Sequence, residues 1–191
     1  MTDPVVVQRH TIRVLSAGQI LGGISFGATV SLGAVLAAEL GGDDALSGLA
    51  TAAITLGTAL TAMPLAALAR VRGRRPALAT GMTVALCGVG LVIGAVAVGS
   101  FPLLLIGFVL IGAGQAANLQ SRFAATDLAT DTSRARELSI VVWTTTVGAV
   151  LGPNLVGPGE VLGATLGMPA LTGAYVFTVV SQLAGIVLYL V

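Results

Sequence analysis

The chain has 191 residues, of which 55% are hydrophobic and only 9% are charged, and its mean hydropathy is +1.00. Because a soluble domain carries about 25% charged residues, this composition excludes a soluble globular enzyme, a disordered chain and a collagen-like fibre. The net charge of +1 gives no basic surface for nucleic acid. The single Cys cannot form an internal disulfide, and the single His cannot form a multi-histidine metal site. We therefore expect an all-α integral membrane protein without enzymatic activity, cofactor or metal.

Long windows without charged residues predict the membrane spans. A helix that crosses the roughly 30 Å hydrocarbon core needs about 20 apolar residues. The longest window, 76–121, is divided by a Gly-Ser-Phe-Pro turn at 99–102 and holds two helices. The windows together predict one six-helix bundle over 1–191, with spans at about 15–38, 45–69, 76–98, 102–121, 138–158 and 171–191.

The positive charges predict the orientation of this bundle. All nine are arginines, and they fall in the N-terminal tail and in the second and fourth connections. The other connections carry acidic residues only, between Glu39 and Asp44 and at Glu160. Because positively charged connections remain in the cytoplasm, we predict that both chain termini are cytoplasmic and that the protein lies in the cell (plasma, inner) membrane.

The connection between the second and third spans combines arginines with a glycine and a proline. One interpretation is a tight turn whose arginines contact anionic headgroups. The segment also resembles the signature G-x-L-A-D-R-x-G-R-(R/K)-x-x-L of the major facilitator superfamily of secondary transporters. The matching residues are Leu68, Ala69, Gly73, Arg74, Arg75 and Leu78. Arg70 replaces the signature's Asp, which in the family belongs to a charge relay at the cytoplasmic gate.

The fifth span has two glycines four residues apart, followed by a proline. Gly148 and Gly152 share one helix face, which predicts close approach of another helix, and Pro153 predicts a bend. A kinked packing helix is one interpretation. The segment also resembles the family's antiporter signature, G-x-x-x-G-x-x-x-G-P-x-x-G-G, found in the fifth span of exporters. Gly148, Gly152, Pro153 and Gly157 fit this signature, and two of its glycines are replaced.

The polar groups within the spans are neutral. Gln115 and Asn118 lie three residues apart on one face of the fourth span, and Gln19 lies in the first. Such amides commonly bond between helices, for about 0.6 kcal/mol each. In the family the first and fourth helices line the substrate cavity, so the resemblance implies that Gln19, Gln115 and Asn118 line it here.

The resemblance covers the whole chain but only half of the family's fold, in which a substrate lies between two six-span halves of two inverted three-helix repeats each. It implies the N-terminal half of a secondary active transporter that exports small organic or amphipathic compounds by alternating access. A facilitator-type importer of sugars or metabolites and a non-transporting scaffold or accessory subunit are the alternatives. The expected partners are the lipid bilayer, a small-molecule substrate and either a second six-span half or a homodimer partner, but no nucleic acid.

Overall fold

The regular secondary structure is helical throughout the described part of the chain. The computed structural model describes residues 4–127, 129 and 132–190, without the side chains of 4–6. Its α-helices are α1 (Pro4–Gly41), α2 (Ser47–Arg72), α3 (Arg74–Val98), α4 (Phe101–Thr126), α5 (Arg134–Asn154), α6 (Val156–Thr165) and α7 (Tyr175–Leu190). A 3-10 turn at Asp44–Leu46 joins α1 to α2. The predicted all-α fold class is confirmed.

Four stretches are long and apolar enough to cross a membrane. They lie within α1, across the 3-10 turn and α2, and in α3 and α4. The pair α5 and α6 passes the same test as one span, with a bend of 51° between its two helices. The last helix, α7, has 16 residues, fewer than the roughly 20 that a perpendicular crossing needs. Residue 191 lies outside the described residues, and the count of six spans stays a prediction.

Several helices extend beyond the windows that predicted them. The first begins at Pro4 instead of near residue 15, and α4 continues to Thr126 instead of ending near residue 121. Hydropathy marks where the apolar side chains stop, whereas a helix continues into the headgroup layer, where arginines and polar side chains are solvated. In contrast, α7 begins only at Tyr175 because Gly167 and Leu171 adopt positive φ values of 68° and 62° in the preceding loop.

Glycines with positive φ occur in two of the short connections. Gly73, at φ 93°, is the single residue between α2 and α3, and Gly99, at φ 68°, ends α3 in the left-handed conformation. Pro102 lies in the first turn of α4, where its missing N–H removes no helical hydrogen bond. These connections place α2, α3 and α4 side by side.

The packing of the helices follows a reciprocal pattern. The helix α1 packs along α5 as α4 packs along α2, and α1 contacts α7 as α4 contacts α3. If α1 is exchanged with α4, α2 with α5 and α3 with α7, the pair α1–α5 becomes α4–α2 and the pair α1–α7 becomes α4–α3. This is the pattern expected for two related three-helix repeats.

Candidate functional site

The two α5 glycines of the signature lie in backbone contact with α1. A Cβ atom added to Gly152 would lie 2.6 Å from the carbonyl oxygen of Ile24, and one added to Gly148 would lie 2.8 Å from the Cα of Gly23. Any larger side chain at either position would push the helices apart. Gly157 differs, because an added Cβ atom there would have no neighbour within 4 Å.

The facing surface of α1 is formed by a second pair of glycines that the sequence analysis did not single out. Gly23 and Gly27 are also four residues apart, and a Cβ atom on Gly27 would lie 3.0 Å from the Cδ of Pro153. Pro153 lies within the last turn of α5, just before the 51° bend into α6. The four-residue spacing of these glycines is present in the sequence, but it does not predict which other helix packs against α1.

The crossing of α2 with α4 uses the same kind of contact. A Cβ atom on Gly57 would lie 2.7 Å from the carbonyl carbon of Val109, and one on Gly112 would lie 2.5 Å from the backbone nitrogen of Thr58. The Thr58 hydroxyl donates a hydrogen bond of 3.1 Å to the Gly112 carbonyl oxygen. Both crossings of the bundle's reciprocal pattern are therefore held at backbone distance, so each should move as a rigid pair.

Gln19 joins α1 to α4 and α5 beside the first of these crossings. Its side chain is fully buried, and its Nε2 donates to the backbone oxygen of Asn118 at 2.8 Å and to the hydroxyl of Ser121. Its Oε1 accepts a hydrogen bond from the hydroxyl of Thr145. Both N–H groups of the amide are thus used between helices. Ser121 and Thr145 are members of this cluster that the sequence analysis missed.

The other two predicted cavity residues occupy different environments. Asn118 is 8% exposed, and its Oδ1 has no hydrogen-bond partner among the described residues. Gln115 lines a cleft of about 10 Å³ together with Ser25 and Gln182, and Gln182 donates to the Ser25 hydroxyl at 3.0 Å. That volume holds about one water molecule, whereas drug-sized ligands occupy about 300–1,000 Å³. The lining of a substrate cavity by Gln19, Gln115 and Asn118 stays a prediction.

A charged pair ties the connection between α2 and α3 to the end of α4. The guanidinium of Arg74 donates from Nε and Nη2 to the two carboxylate oxygens of Asp127, at 2.8 and 3.0 Å. The side chains are 37% and 44% exposed, so solvent screening limits the stability gained to about 1 kcal/mol or less. The acid that the family signature has at the position of Arg70 is absent there, and Asp127 supplies a carboxylate to this connection from another helix.

The remaining residues of this signature are spread between core and surface. Leu78 is buried at the base of α3 and Leu68 is half-buried, while Gly73 and Arg75 are exposed. Leu78 packs in a hydrophobic cluster with Met82. The connection is therefore anchored by Leu78 and by the Arg74 ion pair.

Comparison with known proteins identifies the family of the chain. The family model of the Major Facilitator Superfamily matches residues 15–191. The chain belongs to this superfamily. It is therefore a multi-pass membrane protein of a transporter family, and members of the family are generally not enzymes.

Curated relatives show the same family. The MFS-type transporter YdeG of Bacillus subtilis is 39% identical over 183 residues, which cover 95% of this chain and 43% of YdeG. The riboflavin transporter RfnT of Brucella anthropi is 35% identical over 157 residues, which cover 82% of this chain and 39% of RfnT. The chain thus spans about two-fifths of the length of the curated relatives it matches.

Solved structures share the fold at lower sequence identity. The human organic anion transporter MFSD10 aligns with a TM-score of 0.69 at 20% identity, over 95% of this chain and 46% of MFSD10. A variant of the E. coli fucose:proton symporter FucP aligns with a TM-score of 0.69 at 18% identity, over 94% of this chain and 48% of FucP. The bundle therefore has the fold of about half of a facilitator.

Proposed function

We propose that the chain forms the N-terminal six-helix half of a secondary active transporter that exports small organic or amphipathic compounds by alternating access. The observation that carries this proposal is the glycine crossing of α1 and α5, which ends at Pro153 and the bend into α6. It supports the resemblance of α5 to the exporter signature, because Gly148 and Gly152 are the residues that make the backbone contact.

Alternating access in facilitators is largely a rocking of one bundle against another. Backbone contact at both helix crossings favours a half that moves as one body, because a glycine contact leaves little room for the helices to slide apart. The predicted spans contain no Asp, Glu, Lys, Arg or His. This supports a weakly charged or amphipathic substrate. Proton coupling usually needs an ionisable group in the membrane, so in this proposal coupling uses either the second half or something other than a buried titratable group.

The proposal includes a partner for the exposed face of α2. Leu56, Leu60 and Met63 are 54%, 61% and 81% exposed on that helix. Apolar side chains on this face suit lipid or a second six-helix half, and a second half would complete the substrate site between two bundles. A homodimer is the alternative. We further propose that the assembly lies in the plasma (inner) membrane with both termini of this chain in the cytoplasm, since the arginines fall on one side.

A second candidate function is uptake of a metabolite. It is favoured by the 35% identity to a protein described as a riboflavin transporter. The neutral amides of Gln115 and Asn118 would suit the carbonyl, amine and hydroxyl groups of such a compound. Under this alternative the α5 glycines act only in packing, without a role in the direction of transport.

The experiment that tests the proposal replaces the matching segment of RfnT with this chain. The hybrid is reconstituted in liposomes, and riboflavin flux is measured in both directions under an imposed proton gradient. Saturable flux that Gly152→Leu abolishes and Ala149→Leu preserves supports a transporting half, because Ala149 is exposed whereas Gly152 contacts α1. Flux directed outward supports export, and flux directed inward supports uptake. A folded hybrid without flux would favour the scaffold alternative.

A further inference from the structure

A cavity with three arginines in its wall lies between the first turns of α1 and α5, separate from the amides within the spans. Its volume is about 460 Å³. Arg9 and Arg13 line it from α1, Arg136 lines it from α5, and Ile12 and Ile140 form an apolar part of its wall. We call this space, defined by those five residues, the arginine cavity.

The positive charges of the three arginines in the arginine cavity exceed the negative charge of Glu137, the acidic residue in its wall. Glu137 accepts a hydrogen bond from the Nε2 of Gln8, which also donates to the backbone oxygen of Ala125 at 3.0 Å. Among the described residues, neither Glu137 nor any of the three arginines forms an ion pair. Three positive charges therefore face one negative charge, so an anion placed among the arginines would be attracted.

The spacing of the two α1 arginines adds to this imbalance. Arg9 and Arg13 are four residues apart on one continuous helix, and like charges at that spacing repel one another. Gln8 is only 7% exposed and is fixed by its bonds to α4 and α5, so the first turns of α1 cannot swing away to separate the charges from Arg136. An anionic ligand would relieve the repulsion.

The position of the arginine cavity along the helices points to a lipid. Sequence without charged residues begins at Val14 on α1 and at Leu138 on α5, so the arginines lie immediately before the apolar spans. The rise from Arg9 to Arg13 is about 6 Å, which matches the roughly 5–7 Å thickness of one headgroup layer. Ile12 and Ile140 would then face the start of the acyl chains, which gives a lipid an advantage over a soluble anion.

We propose that the arginine cavity binds the headgroup of an anionic phospholipid, with its phosphate held among Arg9, Arg13 and Arg136. Guanidinium groups bind phosphate oxygens in a bidentate manner, and basic pockets between membrane helices bind anionic headgroups. The acyl chains leave the cavity past Ile140. This site is independent of the direction and substrate of transport.

The chain contains its own probe for the experiment. Trp143 is its single Trp and is 69% exposed, and it follows Arg136 by two helical turns, or about 10 Å, on the same side of α5. A lipid with its phosphate in the arginine cavity places its acyl chain beside Trp143. Bromine atoms on that chain would quench the fluorescence of the Trp.

The test reconstitutes the full chain in phosphatidylcholine nanodiscs that contain a minor share of brominated phosphatidylglycerol, phosphatidylethanolamine or phosphatidylcholine. We expect brominated phosphatidylglycerol to quench Trp143 several-fold more than its share of the lipid. Each arginine near a surface contributes about fivefold to binding of anionic lipid, so Arg9→Gln with Arg13→Gln should abolish the preference and Arg136→Gln should weaken it about fivefold. Arg70→Gln with Arg72→Gln, which removes the same charge at the α2–α3 connection, should leave the quenching of Trp143 unchanged, because a lipid bound there would not lie beside α5.

Three results would overturn the proposal. The first is equal quenching by brominated phosphatidylglycerol and phosphatidylcholine in the unaltered chain. The second is an undiminished preference in both the Arg9/Arg13 variant and the Arg136 variant, with helix content matched by circular dichroism. The third is release of the preference by millimolar inorganic phosphate, which would identify a site for a soluble anion.

Discussion

Gln19 is the residue at which three helices meet. Its amide makes hydrogen bonds to Asn118, Ser121 and Thr145 from a position that is fully buried. Replacing it removes three interhelical bonds, each worth about 0.6 kcal/mol in a membrane protein, and leaves the hydroxyls of Ser121 and Thr145 with only their bonds to backbone oxygens of their own helices.

We predict that Gln19→Leu lowers the free energy of unfolding by about 2 kcal/mol. Gln115→Leu is the matched control, because Gln115 is half-buried on the wall of the small cleft and should change stability by less than about 0.5 kcal/mol. Unfolding of the purified chain in mixed micelles, followed by Trp fluorescence, measures both variants. Equal stability of the two variants would show that the Gln19 bonds do not hold the bundle together.

At this scale the sequence predicted which residues are polar and buried but not what they contact. Gln19 and Arg74 were named from the sequence, whereas their partners Thr145 and Asp127 were found only in the structure. Their separations along the chain are 126 and 53 residues, and such contacts depend on how helices pack rather than on any local pattern. The spacing of residues along a helix predicts which of them share a face. Which residue of another helix contacts that face depends on the tertiary fold.

Among the elements, the bent pair α5 and α6 has the clearest division between packed and open positions, with Gly152 in α5 and Gly157 in α6. Gly152 contacts α1 at backbone distance, whereas Gly157 has open space around it. The two glycines belong to the same sequence signature, so they form a matched pair for substitution.

We predict that Gly152→Ala costs about 1–3 kcal/mol, since overpacking forces backbones apart, and that Gly157→Ala changes stability by no more than about 0.5 kcal/mol. The free energy of unfolding in mixed micelles is again the measurement. A destabilisation by Gly157→Ala as large as that by Gly152→Ala would contradict the crossing geometry.

The loop between α6 and α7 depends on one carboxylate. Glu160 accepts hydrogen bonds from the backbone nitrogens of Leu171 and Gly173, each at 3.0 Å. We predict that Glu160→Gln, which keeps only one acceptor oxygen, speeds hydrogen exchange of these two amides by about tenfold or more. Glu39→Gln, at an exposed acid on α1, should leave their exchange unchanged. Unaltered exchange in Glu160→Gln would mean that the carboxylate does not hold the loop.

At the scale of the whole molecule, the charge-free windows predicted the all-helical class and the order of the long helices. The windows alone did not predict the 51° bend between α5 and α6. The bend was predicted from Pro153, not from hydropathy. The windows also could not predict the reciprocal pairing of α1 with α5 and of α4 with α2, since pairing of helices far apart in sequence leaves no trace in hydropathy.

The orientation of the bundle is testable with single cysteines. With Cys87→Ser as background, we predict that Asp44→Cys reacts with a membrane-impermeant maleimide on intact cells and that Arg72→Cys reacts only after the cells are permeabilised. The reason is that the arginine-bearing connections remain in the cytoplasm. Equal external labelling of both positions would contradict the predicted topology.

We propose that this chain is one half of a transporter and moves substrate only together with a second half. The six predicted spans would provide one bundle, and alternating access needs a second bundle to rock against. The most direct measurement is riboflavin flux into liposomes that contain the purified chain alone, or the chain together with the remaining segment of RfnT expressed as a separate polypeptide. We predict leak-level flux for the chain alone and saturable flux for the pair. Saturable riboflavin flux from a monomeric preparation of the chain alone would contradict the claim.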